Sequence, residues 1–497
     1  MIRRSQDLPI FEGSSLGADA AAKAVLALNR FGMGPRPGSV EAIAADPREA
    51  LLAELAQPPA YPAAASALPS SARAYRTVFE ANAKRQSKVV LAKRAAEQAK
   101  QQQMAGASPG MTETPAHGEG DAALKAAAEA VPDPGRQIYL DEARLRTEAA
   151  LTATIGFTER LVWFWSNHFC ISADKIRSMC GAYEREAIRP HVLGRFADLL
   201  LAVEGHPAML FYLDNLASMG ANSVAGINRS RGLNENLARE TMELHTLGVR
   251  TGYIQDDVIG LSNAYTGWTL LPPADNPEHG GEFSFNPRLH EPGAQKVLGK
   301  TYEDDGVGQA RAVLADLAIH PATATHVANR LATYFIADAP PPALVERMAK
   351  SFIDSSGDLK EVARTMVVSD EAWTAPPAKL KRPSEWVVGM VRASGFTQVD
   401  AQRYTGGQAL LGEPLWRPTS PKGFPDDEAS WIDGMGRRLD VANNYAERVA
   451  GKVDPDEIIG SVLASVVSPE VSEAVGRAES RQQALALLFM SANFQRR

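Results

Sequence analysis

The residues with the strongest claim to chemistry lie between Asn234 and Val249, where amides, carboxylates, an arginine and a histidine crowd into a stretch with helical periodicity. On a helix advancing about 100° per residue, Asn236, Arg239, Glu240 and Glu243 share an arc of roughly a quarter turn. Two carboxylates on one face, Glu240 and Glu243, suit general acid and base work. The same arc also contains Arg239–Glu243 and Asn236–Glu240 at i,i+4 spacing, which is how a solvated stripe of paired charges reads. His245 falls nearly opposite Glu243, so an α-helix alone could not present it together with both carboxylates to one metal. Gly248 reads as a helix stop and Asp256-Asp257-Val258 as the start of the next helix, so a short turn carrying Tyr253 would hold this polar set rigidly.

Two further segments supply partners for the carboxylates. Glu159 to Phe169 carries Asn167 and His168 in a run that is apolar on nearly every side of a helical wheel, which predicts burial all round. A buried imidazole must be hydrogen-bonded. It is a structural core histidine unless it faces Glu240 or Glu243 across a helix interface, where it becomes a catalytic candidate. The loop from Phe283 to Lys296 places His290 beside Glu291, with Arg288 and Lys296 close in sequence. That set fits anion binding or acid–base work, and equally a turn pinned by Pro and Gly. The catalytic candidates are thus Glu240, Glu243, His168 and His290. The substrate-binding candidates are Arg239, Asn236, Tyr253, Arg288 and Lys296. No cofactor is assigned; carboxylates and imidazoles would suit a divalent metal.

Standard signatures are absent: H-E-x-x-H, a P-loop, a dinucleotide-binding glycine motif, G-x-S-x-G and paired C-x-x-C do not occur. Ser172-Ala173-Asp174-Lys175 satisfies S-x-x-K but no K-T-G follows. No His stands three residues after the acids of the Asn234 segment, which removes the Glu-x-x-His pairing of di-iron bundles.

The elements that must position these residues are helical. Amphipathic, alanine-rich runs recur at Ala18–Asn29, Leu193–Val203, Ala343–Ile353 and Ala478–Ala492, while alternating β-branched runs are nearly missing. The fold class expected is mainly α: a large helical, bundle-like protein with long connecting loops and few or no strands. Four regions follow: a helical region over 1–80; an exposed basic helix and a Gly/Pro/Ser-rich loop over 81–135; a central helical core over 136–300 with the polar helix and the His-containing loop; and a helical region over 301–497. All four are expected to form one family domain. Within 81–135, Ala81 to Gln103 reads as a solvated helix face and Met104 to Asp121 as a disordered loop. Between Trp268 and Lys300 the periodicity breaks into a long loop, with helix resuming near Val307.

Composition narrows the function classes. A formal net charge of −7 over 497 residues argues against a non-specific nucleic-acid binder. Two cysteines, Cys170 and Cys180, exclude a disulfide framework. Met1 to Leu16 holds Arg3 and Arg4 but is broken by Asp7, Pro9 and Glu12 where an export signal needs an apolar run. No segment approaches a membrane span. The compartment expected by default is the cytoplasm.

The order of several motifs resembles a bacterial family labelled domain of unknown function, number eighteen hundred. These are Ala27 to Pro35, Glu159 to Phe169, Asn234 to Val249, Thr266-Gly267-Trp268, Phe285 to Gly299, His320 to Ala324 with Leu331 to Phe335, and Leu410 to Trp431. The resemblance covers almost the whole chain and implies a mainly helical bacterial protein without an assigned activity. It also implies a possible partner, since members are often encoded beside phosphatase- or sulfatase-superfamily-like proteins that carry export signals; export with such a partner stays open. Glu291 stands where relatives usually have Asp, and Phe424 where Trp is common. Two functions fit: an enzyme using a carboxylate and histidine cluster for hydrolytic or lyase-type chemistry, or a non-catalytic accessory protein of such a partner.

Overall fold

The computed structural model describes residues 17–59, 61–106, 125, 131–227, 229, 232–463 and 466–497. Helix takes 62% of the residues and strand 4%, so the mainly α expectation holds. Expected runs become helices at Ala18–Arg30, Phe196–Glu204, Pro342–Asp354 and Arg481–Met490, and helix resumes after the central loop at Val307–Ala318. The basic segment belongs to the longer Ser71–Gly106 helix, with Lys84, Lys88, Lys93 and Arg94 exposed to water. Of the expected loop after it, 107–121 lies outside the described residues.

The helix at the centre is Phe157–His168, and every one of its residues is buried. Its first turn needs an acceptor for unpaired amides, and Glu54 supplies one, taking Gly156 N at 3.2 Å and Thr158 N at 2.9 Å. One continuous apolar cluster surrounds this helix and runs from Ala21 to Phe494. Some charges inside it, such as Arg392, are held by backbone carbonyls, and others are paired with each other. Glu385 accepts from Arg160 Nη2 at 2.6 Å and forms an ion pair with Arg497, whose Nε lies 2.9 Å away. Although burial opposes it, this pair of guanidinium groups holds the Glu385 carboxyl down at about 2.

The expected loop between Trp268 and Lys300 is partly β. Trp268–Leu270 pairs antiparallel with Phe283–Phe285, and Gln295–Val297 with Lys300–Tyr302. The second hairpin turns through Leu298 and Gly299, both at positive φ (50° and 78°), the backbone a two-residue type I′ turn demands. Leu-Gly is an unusual choice for it, and three-residue strands are too short to show an alternation, so the sequence hides both hairpins. Asp257 ties this hairpin to the first turn of the preceding Gln255–Tyr265 helix: Oδ2 accepts Ile254 N at 2.8 Å and Oδ1 accepts Leu298 N at 2.7 Å.

Candidate functional site

The polar segment starts as an ordinary helix, Asn236–Glu240, opened by Asn234 Oδ1 accepting Asn236 N at 2.9 Å. It then widens into a π-helical turn over Thr241–His245. Threonine hydroxyls support the change: Thr241 Oγ1 donates to Leu237 O at 2.7 Å, and Thr246 Oγ1 donates to Thr241 O, also at 2.7 Å. Such side-chain bonds compete with the regular ladder. In α-geometry His245 would stand about 140° from Glu240. A π-turn closes i→i+5 rings, so each residue advances less and the two are drawn toward one side. The α-helical step behind the expectation that His245 faces away from Glu240 therefore does not hold across this turn.

His245 is 1% exposed and its Nδ1 lies 2.6 Å from Glu204 Oε1, a carboxylate with no exposure at all. Glu204 ends the Phe196–Glu204 helix, where the macrodipole disfavours a negative charge; its bond to the imidazole is what accounts for a carboxylate at that place. With Nδ1–H given to Glu204, the ring is fixed in orientation and Nε2 is its remaining proton-transfer atom. Glu240 is half-buried, and its carboxyl is pushed above the ordinary carboxylate range, first by lost hydration, with Glu243 and Glu204 adding and His245 and Arg239 opposing.

His168 and His326 do something different. His168 Nε2 lies 3.2 Å from His245 O, and His326 Nε2 lies 3.1 Å from Leu244 O. These are carbonyls at the end of the π-turn, where the helix leaves acceptors without intrahelical donors. Each ring therefore donates Nε2–H and caps the turn. Burial drives both imidazoles below their ordinary value, helped by Arg330 and His245 and, at His168, by His326, while the Leu244 bond opposes it at His326. Their rings are 5.9 Å apart. Among the described residues no group of three or more His, Cys, Asp or Glu is arranged to hold a metal ion.

The other expected residues divide between scaffold and surface. Arg239 lies in a half-exposed ladder, 2.7 Å from Glu235, 3.5 Å from Glu243 and 3.0 Å from Gln255 Oε1. Glu243 also receives the Tyr253 hydroxyl. Asn236, Arg288 and Lys296 are exposed. His290 is not brought to Glu240, Glu243 or His168: Nδ1 lies 2.8 Å from Thr266 O, and Nε2 lies 3.4 Å from Asp304. Its neighbour Glu291 receives Asn222 N at 2.9 Å and packs so closely on Gly220 that a Cβ there would meet it at 2.3 Å. The pair braces the hairpin loop against the 218–227 loop. Asn167 is also structural, donating to Phe424 O at 2.9 Å and accepting from Phe424 N at 2.8 Å.

Among the expected candidates, His168 caps the π-turn and His290 is bound to Thr266 and Asp304, while the buried acid–imidazole pair of this region is Glu204 with His245. Sequence reasoning had placed His245 with an α-helical step that the π-turn does not keep, and passed over Glu204. The available signal was a lone acid closing the otherwise apolar run Phe196-Ala197-Asp198-Leu199-Leu200-Leu201-Ala202-Val203-Glu204.

A family model described as Protein of unknown function (DUF1800) matches residues 26–496. No curated protein matches the chain, and no solved structure does.

Proposed function

The chain belongs to the DUF1800 family, and, since that family has no assigned activity, we propose from geometry alone that it is an acid–base enzyme of hydrolytic or lyase type centred on Glu240 and His245. The observation that carries this is the buried Glu204–His245 pair, 2.6 Å apart, beside a half-buried carboxyl with a raised pKa. Separated roles for neighbouring titratable groups are how one site supplies acid and base at neutral pH. Glu240, its pKa raised by burial, is the acid. His245 is the base through Nε2, and Glu204 holds its tautomer and stabilises the imidazolium as it forms.

The test is turnover of chromogenic carboxylate, phosphate and sulfate esters by the whole chain, its Glu240→Gln variant and its Glu204→Gln variant. Loss of one positioned acid or base removes about 10²- to 10⁴-fold of rate. Glu240→Gln is expected to lose activity on that scale while keeping its melting temperature, because it relieves a desolvated carboxylate. Activity surviving Glu240→Gln, or unfolding in that variant, rejects the proposal.

A second reading, the accessory protein, is favoured by one observation. Val224, Ile227, Val249 and Ile254 are 59–68% exposed and all flank the polar segment in sequence. Large aliphatic groups in water suit a protein-binding surface. On this reading the polar cluster is structural and Glu240→Gln disturbs folding or partner binding, the opposite outcome in the same measurement.

A further inference from the structure

Beside the central helix lies a cleft that none of the groups assigned to acid–base chemistry lines. Trp163 and Gln408 line it, with Arg146, Arg382, Tyr334 and Trp416. Its free space is about 50 Å³, against the ~10–15 Å³ that one water needs. Trp163 is 5% exposed and Gln408 1%. Trp163 Nε1, a donor, and Gln408 Oε1, an acceptor, are both buried without a hydrogen-bond partner. Buried polar atoms are almost always satisfied by protein or by something bound, and one cleft here holds one unsatisfied atom of each kind.

The charges in the cleft are already balanced. Arg146 Nε lies 2.8 Å and 3.0 Å from the two oxygens of Glu184, and its guanidinium stacks over Trp163 at 4.2 Å. Arg382 is paired with Glu413 and, at 3.1 Å, with Asp426. Glu413 is further held by Ser384 N at 2.7 Å and Ser384 Oγ at 3.0 Å. Two guanidinium groups committed to carboxylates leave no surplus positive field for an anion. The aromatic faces of Trp163, Trp416 and Tyr334 supply apolar walls, the usual setting for a few placed polar groups in a small-molecule site.

We infer that this cleft binds a small uncharged molecule, a polyol or carboxamide of a few heavy atoms, that accepts from Trp163 Nε1 and donates to Gln408 Oε1. A ligand of that kind completes both unsatisfied atoms and disturbs neither ion pair. The inference stands apart from the proposed acid–base site, since no residue assigned to catalysis lines the cleft.

The test uses the full chain carrying 5-fluorotryptophan at its seven tryptophans, with the Trp163 and Trp416 fluorine signals assigned by Trp163→Phe and Trp416→Phe. Glycerol, acetamide, inorganic phosphate and sulfate are titrated separately. The expected result is a saturable shift confined to the Trp163 and Trp416 signals with glycerol or acetamide, at least tenfold weaker in Gln408→Leu. Gln408→Met, which keeps the length of the side chain and removes the acceptor, serves if the Leu variant does not fold. No saturable shift with either uncharged probe means that water alone fills the cleft and overturns the inference. A shift with phosphate or sulfate only, or one that Gln408 variants leave unchanged, overturns it as well.

Discussion

Replacing both capping imidazoles by glutamine, His168→Gln with His326→Gln, tests whether the π-turn is held by neutral histidines. Glutamine Nε2 can reach where imidazole Nε2 did, so His245 O and Leu244 O keep donors and the variant at pH 7.5 should lie within about 1 kcal/mol of the parent, one neutral hydrogen bond being worth that much. The difference emerges on acidification. Unfolded histidine takes up a proton near pH 6.5, whereas the folded rings, buried beside each other, Arg330 and His245, refuse it. The unfolded chain then binds more protons, so the stability is complete above pH 6.5 and is lost as pH falls toward the folded values. Each group contributes about 1.4 kcal/mol per pH unit in that window, so the parent should lose up to about 2.7 kcal/mol between pH 6.5 and 5.5 through these two rings. His326, which is partly exposed, supplies the smaller share. Glu240, with its raised pKa, works in the opposite direction and is common to both proteins. Urea unfolding followed by tryptophan fluorescence from pH 7.5 to 5.5 reads the difference. If parent and double variant lose stability in parallel, the imidazoles are not neutral caps and the assignment of their Nε2–H donors fails.

Three other perturbations probe the scaffold. Glu385→Gln should cost about 3–5 kcal/mol at pH 7, the range for leaving a buried charge unpaired, because Arg160 and Arg497 both depend on it; since the folded carboxyl is held at about 2, the parent keeps that stability above pH 4.5 and loses it as pH falls toward 2, an acid limb that should shrink in the variant's thermal melts. Gly423→Ala should destabilise by more than 1 kcal/mol, because the residue sits at φ +79° and an added Cβ would stand 2.4 Å from Asn167 O; a melting temperature equal to the parent's would contradict the clamp on Phe424. Asp257→Ala should remove about 1 kcal/mol of helix capping and free the Leu298 amide, seen as faster hydrogen exchange at Leu298 than at amides of the Trp268–Leu270 hairpin.

Helix existence was legible because its cause is local. The Phe157–His168 run is apolar all round and is buried all round, and the resumption at Val307 follows from periodicity alone. The hairpins were not, since their strands are three residues long and the Gln295–Tyr302 hairpin depends on Asp257, distant in sequence, and on a Leu-Gly turn at positive φ. The candidate site was legible in one wall only. Glu240 is half-buried with a raised pKa, but the partners expected for it rested on residue type without a known placement, and His290 is committed to Thr266 and Asp304 instead.

The failure at His245 has a specific physical origin that bears on how such motifs should be read. A 100° step is a property of i→i−4 bonding, and Thr241 and Thr246 both bond backbone carbonyls with their hydroxyls at the point where the ladder changes. Two threonines within six residues, followed by a glycine at φ +92°, are a reason to suspect that the step shortens, and with a shorter step His245 turns from the far side toward Glu240. The cost of widening is carbonyls left without helix donors, and His168 and His326 supply the donors. The same change that shortens the step to His245 occupies two other histidines as caps, while Glu204, buried at the end of a separate apolar helix, holds the imidazole of His245.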